Sequence, residues 1–179
     1  MNGAILTTPA VTCHDRGVDH PDPVRAISVS AVVLTRPDRA VATVRKVGTA
    51  RFMLPGGKWE DGESPSACAV REVHEELGVT LTPAELSPLG RFATATANEP
   101  GFTLVSEVFA AEVDGHQQPR AEIEEIRWVT PAELEVIAGL AEDDCAPWAP
   151  LLVRVARVCC PARFGAGASP ERPPGGLRG

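Results

Sequence analysis

Apolar and polar positions along this chain alternate in two rhythms, one of strands and one of helices. Residues 26–35 (AISVSAVVLT) are rich in Val and Ile and read as a strand. Pro37-Asp38 marks a turn, and residues 40–47 return as a second strand of a hairpin. Residues 51–54 are short and extended and run into a Gly-Gly turn at Gly56-Gly57. Ser64-Pro65 then opens a helix, with Ser as cap and Pro at the first helical position, and Gly78 closes it. Residues 86–97 and 102–113 form a second hairpin across Asn98-Glu99-Pro100-Gly101, whose Pro and Gly suit a type II turn. A loop over 114–120 precedes a last strand near 126–129. Thr130-Pro131 starts a helix to about residue 138, and a further helix spans 149–158.

Strand hairpin, helix, strand hairpin, strand, helix is the order of an α/β (α+β) domain, a mixed sheet sandwiched between helices. Its expected span is 25–160. Residues 1–24 carry Pro9, Pro21 and Pro23 with little periodicity and read as a flexible lead-in. The Gly- and Pro-rich stretch 161–179 reads as a disordered tail.

The helix after Ser64 carries the chemistry. At about 100° per residue, Val70, Val73 and Leu77 share one face, while Glu72, Glu75 and Glu76 share the opposite one with Cys68 beside them. Like charges repel, and two of these glutamates fall in the last turn, where the helix dipole also disfavours anions. Such a cluster calls for a cation. Mg²⁺ suits it, because it takes oxygen ligands and is shared between a few carboxylates and substrate phosphates.

Composition narrows the partners. A net charge of −7 leaves no global basic surface for nucleic acid or an anionic membrane. A polyanionic substrate would meet local cations instead, among them Arg36, Arg45, Arg51, Lys58 and Arg91. No apolar run reaches the ~18 residues of a membrane-spanning helix, and no secretory signal opens the chain. The five cysteines include no Cys-x-x-Cys pair, and Cys159 and Cys160 are adjacent, so reduced thiols and a cytoplasmic location are expected. Cys13, His14 and His20 match no common zinc spacing.

Residues 57–79 read GKWEDGESPSACAVREVHEELGV. They match Gly-x5-Glu-x7-Arg-Glu-U-x-Glu-Glu-x-Gly-U, with U aliphatic, at every position. The stretch resembles the signature of the Nudix hydrolases, and the approach Leu54-Pro55-Gly56-Gly57-Lys58 with Glu60 and Gly62 resembles the MutT-like branch. The resemblance implies a hydrolase of a nucleoside diphosphate linked to some other group, requiring Mg²⁺ or alternatively Mn²⁺, on the mixed-sheet fold already indicated. It implies Glu75 and Glu76 as the main metal ligands, with the Gly56 carbonyl. Glu72 is implied as a further ligand or as the base that activates water, oriented by Arg71. Glu63 supports that arginine, Gly57 permits the turn, and Lys58 sits near the leaving phosphate.

A further ligand or base drawn from beyond the motif would come from Glu122, Glu124 or Glu125, with Glu125 as the candidate ligand. Arg51, Lys58, Phe52 and Asn98 are candidates for contacting the nucleotide, with Phe92 and Phe102 as further aromatic surfaces. The substrate is less marked. The chain has no tyrosine, which counts against a dinucleoside polyphosphate. Pro88 and Pro100 miss the offset associated with ADP-ribose pyrophosphatases. The expectation is a small-molecule nucleotide substrate, a nucleoside triphosphate cleaved to monophosphate and pyrophosphate, by a monomer or homodimer. Rival readings are an ADP-ribose or nucleotide-sugar pyrophosphatase and a non-catalytic nucleotide-sensing module. A terpenoid diphosphate isomerase on the same fold would need a catalytic Cys beside an acid.

Overall fold

The computed structural model describes residues 25–95 and 102–159. The lead-in, the tail, the turn around Asn98, and Cys13, His14 and His20 lie outside these. Six strands, β1 (Arg25–Thr35), β2 (Val41–Lys46), β3 (Gly56–Lys58), β4 (Ser87–Ala95), β5 (Phe102–Glu112) and β6 (Ile123–Val129), are joined by helices α1 (Pro65–Leu77), α2 (Pro131–Ala138) and α3 (Pro150–Cys159). The sheet runs β4-β5-β1-β2-β6, with β3 added against β1. Only β1 and β5 are parallel; the other pairs are antiparallel.

β1 is the centre of this arrangement, and its apolar run follows from that. Ala31 and Val33 pack toward α2 and α3 with Leu134, Ile137 and Leu152. Val32 and Leu34 pack toward α1 with Ala69, Val73 and Leu77. A strand covered on both faces needs apolar side chains at successive positions. The mixed sheet between helical layers is therefore as expected.

α1 begins where Ser64 accepts a hydrogen bond from the Ala67 N–H at 3.2 Å, and it ends at Gly78 in the left-handed region with φ 68°. α2 carries a reciprocal cap that sequence reading left out: the Thr130 hydroxyl accepts from the Glu133 N–H, and the Glu133 carboxylate accepts from the Thr130 N–H at 2.9 Å.

Two expectations need correction. Gly56-Gly57 is more than a turn; it opens β3, a short strand paired with β1 through Ala31↔Gly56, Ser30↔Gly57 and Val29↔Lys58. The last strand starts at Ile123 rather than near residue 126, because a register shift between Arg45 and Lys46 extends its pairing with β2. Short irregular strands of this kind carry no period-2 pattern to read.

β3 depends on one glycine. Gly56 has φ 148°, and a Cβ there would drive into the Ser30 carbonyl of β1. Gly56→Ala should therefore weaken the β3–β1 pairing and destabilise the protein by about 3 kcal/mol. Urea denaturation checks this, and an unchanged midpoint would count against so close an approach.

Candidate active site

The carboxylate face of α1 is turned inward. Glu76 is fully buried and Glu72 nearly so. Both lie under β3, where the sequence suggested a face separate from the core. Gly57 makes room for this: a Cβ there would collide with the Glu72 carboxylate. Cys68 is also fully buried, its thiol directed at the Gly57 and Lys58 carbonyls at 3.5 and 3.6 Å, and burial pushes it up to about 11. A thiol so covered and so weakly acidic is a poor nucleophile.

Two internal cations compensate the carboxylates. Arg71 spreads its guanidinium over three of them: Nε and Nη2 donate to Glu63 at 2.9 Å each, and Nη1 donates to Glu72 Oε1 at 2.8 Å and to Glu75 Oε2 at 3.3 Å. Nη2 also reaches the Lys58 carbonyl at 3.1 Å. The forked contact from Arg71 holds the Glu63 carboxyl down to about 2. Arg71 itself is raised, foremost by Glu63. Sequence reading paired Arg71 with Glu72 and Glu63, and the structure brings these three together.

The second cation is Lys46, at the end of β2, which sequence reading did not single out. Its Nζ lies 2.9 Å from Glu76 Oε1 and 2.8 Å from Glu122 Oε1. Burial alone would lower this lysine, but Glu76 and Glu122 outweigh it and hold it charged above the usual lysine range. Burial pushes Glu76 the other way, up to about 7, partly offset by Lys46 and by the Gly56 N–H, which donates to Oε2 at 3.0 Å. Buried Oε1 faces the Lys46 ammonium at 2.9 Å, its charged partner among the described residues.

Of the three loop glutamates, Glu122 is the one brought to this cluster. Glu124 and Glu125 turn away and clasp Arg45 at 2.6 and 2.8 Å. Glu122, and not the candidate Glu125, is thus the loop carboxylate that stands beside Glu76. The cause is the register shift after Arg45, which breaks strict alternation between β2 and β6. The one available signal was lysine scarcity: Lys46 and Lys58 are the chain's two lysines, and both line the same cleft.

That cleft has a volume of about 550 Å³. One wall holds Gly56, Gly57, Lys58, Arg71 and Glu72, with Lys46 and Glu122 beside them. Its apolar lining comes from Ile27 and Val29 of β1, Leu104 of β5 and Leu151 of α3, with Met53 and Leu54. Two candidates for substrate contact do not reach it. Phe52 is buried in the core, its ring 5.7 Å from that of Trp148. Arg51 donates to the Trp148 carbonyl at 2.9 Å. Asn98 lies outside the described residues. Arg36 and Arg91 are likewise engaged elsewhere, with Asp38 and Glu107.

The donors suit a hard cation. Glu72, Glu75, Glu76 and Glu122 offer only oxygen, and Glu76 Oε1 is a buried acceptor already facing a cation, Lys46. Among the described residues no three acidic, His or Cys side chains already stand together as a ligand set.

Glu76 also sets a pH dependence. Its proton leaves the folded protein near pH 7 and the unfolded chain near 4.5, so the stability it contributes is fully present below about 4.5 and lost as pH rises through 7. Glu76→Gln removes that loss. The metal-free variant should exceed wild type in stability at pH 8 by on the order of 3 kcal/mol, with the difference closing near pH 4. Denaturation at both pH values measures it, and equal stabilities at pH 8 would refute the burial cost.

A family model for the NUDIX domain matches residues 24–150. A MutT-like protein of Streptomyces ambofaciens is 30% identical over 113 residues, covering 63% of this chain and 68% of that protein. An isopentenyl-diphosphate Delta-isomerase of Dinoroseobacter shibae is 26% identical over 160 residues, covering 83% and 85%. The crystal structure of a MutT protein from Methanosarcina mazei superposes with a TM-score of 0.59 at 21% identity, covering 80% of this chain and 98% of that one, a likeness of fold. Matched over most of its described length and carrying the signature unbroken on α1, this chain belongs to the Nudix family.

Proposed function

We propose that this Nudix hydrolase cleaves a diphosphate linkage in a nucleoside triphosphate, with water attacking phosphorus and a nucleoside monophosphate and pyrophosphate leaving. The observation that carries this reading is the cleft itself, where a charged wall built by α1 and β3 meets an apolar lining from β1, β5 and α3. A phosphate chain suits the first and a nucleobase the second. The lysine in Gly56-Gly57-Lys58 supports cleavage at a bridging phosphate rather than release of the terminal one.

Glu72, Glu75, Glu76 and Glu122, with the Gly56 carbonyl, are the groups that would hold a divalent cation, Mg²⁺ in the first instance and Mn²⁺ in the second. When bound, such a cation neutralises phosphate charge and makes water easier to deprotonate. The protein supplies the rest. Glu72, aimed by Arg71, accepts the proton of the attacking water. Glu63 fixes Arg71 and does not itself touch the reacting atoms. Lys58 meets the charge that builds on the phosphate oxygens. For the isomerase reading, Cys68 beside the carboxylates is covered by β3 and not open to a substrate.

Product analysis with Mg²⁺ across nucleoside triphosphates, ADP-ribose, nucleotide sugars and dinucleoside polyphosphates tests the proposal. Monophosphate and pyrophosphate from a triphosphate, abolished by chelator, are expected; terminal phosphate release alone would overturn it. Glu72→Gln and Glu76→Gln should each lower kcat by about 100-fold or more, and Glu63→Gln by less. Gly57→Ala should fold yet lose kcat, because its methyl group displaces the Glu72 carboxylate. A variant of Glu76 active within a few-fold of wild type would remove the residue from the site.

A further inference from the structure

Lys46 lies outside the Nudix signature, yet it is the cation nearest the buried end of the site. We propose that Lys46 is an internal counter-cation that the divalent ion must displace, so that its hold on Glu76 and Glu122 sets how tightly the metal binds. The inference rests on the divalent-cation reading of this site.

The geometry leads there directly. Two carboxylate oxygens, Glu76 Oε1 from the last turn of α1 and Glu122 Oε1 from the segment before β6, converge within 2.9 and 2.8 Å of one ammonium nitrogen. An ion binding the same Glu76 oxygen at roughly 2.1 Å would lie within a few ångströms of that ammonium. Two cations so close in a covered site repel strongly, so they are alternatives. The type of contact favours exchange. Arg71 grips its partners through a planar fork of directed hydrogen bonds. Lys46 meets Glu76 Oε1 and Glu122 Oε1 through a single rotatable ammonium. An ammonium on a flexible four-carbon stem is a point charge that moves off more readily than a guanidinium. It also has somewhere to go, since Lys46 lines the open cleft.

The arrangement gives the metal-free protein a reason to keep this lysine. Without it, Glu76 would be a buried carboxylate with no cation beside it, the costliest state for such a group. Lys46 thus trades metal affinity for tolerance of metal loss.

The test uses the full chain, Lys46→Met and Lys46→Arg, with Mn²⁺ alone titrated at pH 8. Lys46→Met should bind Mn²⁺ about tenfold tighter or more, melt lower without metal, and gain more in Tm on adding Mn²⁺. Lys46→Arg, which keeps the charge, should bind no tighter than wild type. Equal or weaker Mn²⁺ binding by Lys46→Met would overturn the inference. A wild-type protein that binds no Mn²⁺ at millimolar concentration would bring down the cation reading itself. A second measurement needs no altered Lys46. With two lysines in the chain, wild type labelled at the lysine ε-carbon gives two resonances, assigned by the one missing in Lys58→Arg. Added Mg²⁺ should move the Lys46 resonance, and an unmoved signal in protein that binds Mg²⁺ would count equally against displacement.

Discussion

Burying ionised carboxylates on a helix that must also supply core contacts is the constraint on which the rest of this molecule depends. α1 can pack against the sheet only if the charges on its other face find compensation within the protein. Arg71 does this for Glu63, Glu72 and Glu75, and Lys46 for Glu76. The two differ in kind. The arginine is a fixed strut that aligns what it touches, and the lysine is a charge set against an oxygen with no other partner. One makes the site rigid and the other leaves it exchangeable.

The sheet is arranged to serve that helix. β1 is paired along its length with β5 and on its other side with both β2 and β3. β3 is only three residues long, but it forms the roof under which Glu72, Glu76 and Cys68 are covered. The glycines of β3 answer two separate demands. Gly56 brings backbone against backbone at Ser30, and Gly57 brings backbone against the Glu72 carboxylate. Neither position has space for a methyl group, so the pair is a packing requirement before it is a turn.

Most of the fold was legible in the sequence because its elements are long and strongly patterned. The apolar run of β1, the Ser64 and Gly78 ends of α1, and Thr130-Pro131 before α2 all appear where expected. The Arg71, Glu63 and Glu72 constellation was legible through the resemblance of residues 57–79 to the Nudix signature, which places them on one helix and its approach. What was missed depends on contacts between distant segments. Lys46 and Glu122 are brought together by a register shift that no alternation pattern announces. The burial of Glu76 and Cys68 depends on a three-residue strand with no period of its own. Phe52 and Arg51, offered as substrate contacts, are instead drawn to Trp148 on the far side of the chain. An exposed aromatic and a core aromatic look alike in one dimension.

The division of labour around the cleft has a consequence for how such a protein diversifies. Most of its reactive wall is local, written within one turn, one short strand and one helix, with Lys46 and Glu122 added from β2 and the segment before β6. Its apolar lining is assembled from β1, β5 and the start of α3, elements separated by most of the domain. Ile27, Leu104 and Leu151 line the cleft from elements other than α1 and β3. Substitutions among them can reshape the space offered to a base while the charge network stays intact. Selection on substrate and selection on chemistry then act on different residues, and lineages can drift in the first while being held in the second.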